Sequence, residues 1–196
     1  FQVDTLIWEG PPQARLSKLS GTYVFDSKNH RLDAGSVQFS SGNYQFSGQV
    51  GAVAPLELAL KLSATVPTTV PGSSQTLILA AEARITGALA GADAQLDLRT
   101  LIAPQIVESA SPAPPRKGKS ATSVRVNPAT PMQVTATAVV HPWRAQPLTQ
   151  AQGTWQSLDL ALLWPDAPQT HLDGDASVQP VANGGWRGQI RVRNAL

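Results

Sequence analysis

The sequence predicts an all-β fold in which long antiparallel strands form one curved, groove-forming sheet, with a β-sandwich as the alternative. Three observations point there. Leucine occupies positions 56, 58, 60 and 62, while Glu57, Lys61, Ser63 and Thr65 fill alternate places. That period of two gives a strand with one apolar and one polar face, whereas a helix would set Leu56 and Leu58 on nearly opposite sides. Sixteen Pro and fifteen Gly cut the chain into turns and disfavour long helices. Charged residues make up 14% of the chain against roughly 25% in an average domain, so Ser, Thr, Gln, Asn and Gly carry the polar faces.

The elements follow in order. Val3–Trp8 is a short apolar strand, and Gly21–Asp26 leads into a polar turn at Ser27–His30. Arg31–Phe39, a link at Ser40–Asn43 and Tyr44–Val50 complete a run of hairpins, so the sheet is expected to be antiparallel. Pro55–Val66 then spans on the order of 35–40 Å at ~3.3 Å per residue. Pro67–Ser74 breaks the pattern with two prolines and a glycine. Gln75–Leu89 places Leu77, Leu79, Ala81, Ala83, Ile85, Gly87 and Leu89 on one side. After a turn at Ala90–Ala92, Asp93–Ile102 returns with Ala94, Leu96, Leu98, Thr100 and Ile102 in phase.

Residues Ser109–Ser123 combine three prolines, three cations and small polar residues. Such a stretch buries too little surface to order itself, and it reads as a flexible insertion because the strand pattern resumes beyond it. Met132–Val140, Gly153–Trp164 (Leu158, Leu160 and Leu162 in phase), His171–Val178 and Trp186–Val192 (Ile190 and Val192 in phase) finish a single sheet module over 1–196.

Chemistry-bearing patterns are sparse. His30, His141 and His171 lack zinc spacing, and no HExxH, GxSxG, phosphate-binding or dinucleotide-binding loop occurs. Asp173 and Asp175 alternate as calcium ligands can, but the further carboxylates of such a loop are missing; they read as a strand's polar face. Arg116-Lys117-Gly118-Lys119 is a basic cluster in the expected insertion that could meet anionic headgroups. Five scattered tryptophans give no stacking platform for single-stranded nucleic acid. A formal charge of +2, at a pI of 9.2, is too small to dominate the field. Cysteine is absent, which suits an oxidising compartment without requiring one. No run approaches the ~18 apolar residues of a membrane helix, and no basic-then-apolar leader opens the chain. The expectation is a non-enzymatic protein without cofactor or metal.

The run Pro55–Ala64, the Pro/Gly break, Leu77–Gly87, Leu89–Leu96 and the closing Gly188–Leu196 resemble the repeated strands of the TamB branch of the AsmA-like, bridge-like lipid transfer proteins. The resemblance covers about residues 42–102 and 184–196, and its motifs are compositional rather than catalytic. It implies a taco-like curled sheet in a periplasmic bridge anchored in the inner membrane. The apolar groove of such a bridge conducts phospholipids towards the outer membrane, and a partner barrel of the outer-membrane assembly family binds other parts of the full-length protein. The family's N-terminal membrane helix and C-terminal partner-binding segment have no match here, so the chain is expected to be an internal stretch.

On that reading the partners are phospholipid acyl chains, and no nucleic acid. The groove would be lined by Leu56, Leu58, Leu60, Leu62, Leu77, Leu79, Ile85, Leu89, Leu96, Leu98, Leu158, Leu160, Leu162, Ile190 and Val192. The alternative is a secreted sandwich or solenoid for adhesion or protein–protein interaction, with the leucine face internal.

Overall fold

A computed structural model describes residues 1–8, 14–39, 42–69, 76–105, 131–164, 166–182 and 184–195. The expected insertion at 109–123 lies outside these residues. Eleven strands form one antiparallel sheet: β1 (Gln2–Trp8), β2 (Ala14–Phe25), β3 (Asn29–Phe39), β4 (Gly42–Gly51), β5 (Glu57–Thr69), β6 (Thr76–Ala88), β7 (Gln95–Gln105), β8 (Gln133–Val140), β9 (Leu148–Leu158), β10 (Leu172–Pro180) and β11 (Trp186–Asn194). Spatial order equals chain order. The sheet is open, because β1 and β11 do not pair with each other. Among the described residues no second layer lies against either face, so the all-β, single-sheet expectation holds and the sandwich alternative does not.

The ladder slips at Val139/Val140 between β8 and β9 and at three further places where a residue has positive φ. Ladder registers shift around Lys18 in β2, Ala34 in β3 and Ser157 in β9, and these residues have φ of 52°, 49° and 52°. Each is a β-bulge, in which an extra residue bends its strand and increases the local twist. Between these bulged ends, β5 and β6 pair over thirteen consecutive residues without a slip, from Glu57 opposite Ala88 to Thr69 opposite Thr76. β7 continues that register from Ala88–Gln95 to Ile78–Gln105.

Most strand bounds shift from expectation by a few residues, and four differences matter most. β2 begins at Ala14 instead of Gly21, and β5 runs through Pro67 to Thr69. β9 begins at Leu148 and ends at Leu158, and a 3-10 turn occupies Leu160–Leu162. Leu56 precedes β5, with φ of 56°. The 3-10 turn has an identifiable cause: Asp159 Oδ1 accepts the backbone N–H groups of Ala161 and Thr170, each at 3.0 Å. That side chain folds the backbone back on itself and stops the strand.

Hardly any core exists in the usual sense. Among the described hydrophobic residues only Val37 and Ala94 are buried, and no large side chain is fully enclosed. Stability therefore rests on the continuous ladder and on cross-strand side-chain contacts within each face.

Candidate functional site: an uncovered apolar face

Residues directly opposite in an antiparallel ladder share a face, so the registers trace apolar rows across the sheet. One row runs Phe46, Leu62, Ala83, Thr100, Ala136, Gly153, Ala176 and Ile190. Its neighbour runs Val37, Tyr44, Ala64, Ala81, Ile102, Val134, Trp155, Gly174 and Val192. On the other side, Leu32, Gly48, Leu60, Ile85, Leu98, Ala138, Ala151 and Val178 align. A fourth row carries Val50, Leu58, Gly87, Leu96, Val140 and Leu148.

Close approach holds the face together in places. A side chain at Gly174 would collide with the indole of Trp155 and the carbonyl of Arg191, and one at Gly35 would meet the ring of Phe46. Glycine lets these aromatic rings lie down over the neighbouring strand.

Eleven of the fifteen groove candidates are thus gathered. Leu58, Leu60, Leu62, Leu79, Ile85, Leu96 and Leu98 sit in adjoining rows of β5–β7, and Leu77 extends them opposite Thr68. Leu158 stands opposite Leu172, two residues from Gly174, while Ile190 and Val192 end two rows on β11 and are 69% and 56% exposed.

Four candidates fall elsewhere. Leu56 and Leu89 meet at a turn, where Leu89 N–H donates to the carbonyls of Pro55 and Leu56 and its own carbonyl accepts the Trp143 indole N–H at 2.6 Å. Leu160 and Leu162 belong to the 3-10 turn, and Leu162 is 49% exposed. Sequence reasoning missed Val37, Phe46, Val134 and Trp155 as members of the same face. Their alternation was visible; their alignment with the leucines depends on register.

The opposite face is polar and laced across strands. Thr135 and Thr154 hydroxyls lie 2.6 Å apart, Gln133 Nε2 donates to Gln156 Oε1 at 2.8 Å, and Asp173 and Asp175 face Arg193 and Arg191. Those aspartates are therefore matched by arginines, and no group of His, Cys, Asp and Glu suited to a metal occurs among the described residues. The histidines are engaged locally: His30 with Tyr23 Oη at 2.7 Å, His141 with the Ala94 carbonyl at 3.0 Å, and His171 with Ser157 Oγ at 2.8 Å. No helix among the described residues is long and apolar enough to cross a membrane.

No protein-family model matches the chain, and comparisons with curated proteins and with solved structures likewise find no match.

Proposed function

We propose that this chain is a structural, non-catalytic module of a periplasmic bridge, whose apolar sheet face conducts phospholipids between the inner and outer membranes. The observation that carries the reading is a set of contiguous apolar rows spanning the sheet with no second layer over them among the described residues. Sheets ordinarily bury an apolar face against another element. An acyl chain laid along these rows gains on the order of 0.8 kcal/mol per buried CH₂, without a directional contact to hold it in one position. A lipid so held can slide. The full-length protein is anchored in the inner membrane on this reading, and it meets an outer-membrane assembly barrel through other segments, with a further role in outer-membrane protein assembly. A second reading, protein–protein interaction, draws support from the place of β11 at the end of the strand order among the described residues, since an edge strand is a template for pairing with another chain.

Photo-crosslinkers at Leu60, Leu79 and Leu98, compared with Lys61 and Thr86 on the opposite face, separate the two readings in cells. Phospholipid captured from the first set alone supports conduction. Protein captured by a further crosslinker at Gln189 on β11 supports the second reading, and equal capture from both faces of β5–β7 counts against any specific role for the apolar rows.

A further inference from the structure

Lys61, Arg84 and Arg99 stand directly opposite one another across β5, β6 and β7 on the polar face. Cross-strand neighbours have Cβ atoms ~4.5–5.5 Å apart, and like charges at that separation destabilise a ladder. Two other arginines of the same face are matched: Arg191 lies 3.7 Å from Asp175 and Arg193 lies 3.9 Å from Asp173, each pair opposed across β10 and β11. Lys61, Arg84 and Arg99 are all exposed, and no hydrogen bond or ion pair among the described residues engages their side chains.

The three cations border a trough of about 810 Å³ that crosses from β3 to β8, with Ser47 and Thr137 continuing their row. The neighbouring row supplies Gln45, Ser63, Leu101 and Thr135, together with Glu82, whose carboxylate pairs with none of the three. The trough thus holds a surplus of positive charge beside neutral hydrogen-bonding groups.

We propose that this trough binds a compact ligand carrying two or more phosphate groups, whether free or borne on a lipid headgroup. Two inter-strand gaps of ~4.8 Å set the cations along a line of about 10 Å, which one carboxylate cannot span and adjacent phosphates can. Guanidinium forks donate bidentately to phosphate oxygens, and the flanking hydroxyls donate to those that remain. Bound phosphate would also relieve the mutual repulsion of the row. This site lies on the polar face and does not depend on the reading of the apolar one.

Sodium tripolyphosphate titrated into the chain by calorimetry, with thermal melting alongside, tests the site. Binding should raise the melting temperature. The double variant Arg84→Gln/Arg99→Gln should weaken binding about tenfold or more, as loss of charge-assisted hydrogen bonds does. In buffer alone it should melt no lower than the parent, because the repulsion is reduced; Lys61→Gln gives a second, milder variant. The control Arg191→Gln/Arg193→Gln removes the same charge and should leave affinity within about twofold, since screened charges at a distance contribute little. Phosphatidylcholine vesicles with and without cardiolipin, whose headgroup carries two phosphates, form the other arm. Binding that needs cardiolipin and Arg84/Arg99 assigns the phosphates to a headgroup, and binding of tripolyphosphate alone assigns them to a soluble ligand. No binding of either probe, or equal loss in both double variants, overturns the proposal.

Discussion

Single residues set the ends of the hairpins. Asp26 Oδ1 accepts the backbone N–H groups of Asn29 at 2.7 Å and Lys28 at 2.9 Å, closing the β2–β3 turn. These bonds, that from Asn29 foremost, favour the ionised carboxyl and hold its pKa below the ordinary carboxylate value. Because the folded value is the lower one, the contribution of Asp26 is fully present above the unfolded value of ~3.9. It is lost as the pH falls through the depressed folded value. An NMR titration of the Asp26 carboxyl should show a midpoint below ~3.9, with the Lys28 and Asn29 amide shifts moving together; a midpoint at or above it would contradict the turn geometry. Gly87 is the other sensitive point. Its φ is +138°, and a Cβ there would strike the carbonyl oxygen of Gln95 on β7. Gly87→Val should cost roughly 1–3 kcal/mol through backbone strain, read as a lowered urea midpoint with unchanged slope.

At the level of elements, the unslipped register of β5–β7 builds the apolar rows. Leu60→Asp tests whether that face is open. On an uncovered face the carboxylate keeps much of its water, and the expected cost is about 1–2 kcal/mol; in a sealed core it would be several. Denaturation of this variant distinguishes the two directly. These strands were legible in the sequence because their alternation is unbroken and their register has no slip. β2 was legible only in its second half. Leu16 and Leu19 are three apart, and the bulge at Lys18 lies between them, so a period-two reading loses phase there. Leu158, Leu160 and Leu162 alternate like a strand, yet the Asp159 side chain turns the chain after the first of them. Pro67 suggested a break, but β4 pairs with β5 only as far as Thr65. Beyond that point β5 has one described neighbour, β6, an edge-like position where proline is tolerated.

For the whole molecule, periodicity revealed that each strand has two unlike faces but not what covers them, since sandwich strands carry the same alternation. The extent of the candidate face was hidden for a related reason: it depends on ten pairings, each of which a single bulge can shift by a residue. The observed sheet has each strand in contact only with the strands before and after it. Cooperativity in such an array passes from neighbour to neighbour, as in repeat proteins. Amide exchange should therefore be slowest in β5–β7, which have partners on both sides and the longest ladders, and fastest in β1 and β11. Uniform exchange across all eleven strands would indicate a single global unit instead.

Sequential strand order also makes the molecule a ruler. Ten inter-strand gaps at ~4.8 Å give a reach of about 48 Å across the ladder. Each added hairpin lengthens it by about 10 Å and returns the chain to the same edge in the same direction. Both faces keep their character through such an addition, because nothing already built has to be repacked. Span can thus change by gain or loss of hairpins alone, which ties the width of the sheet to the number of strands in the chain rather than to any redesign of the fold.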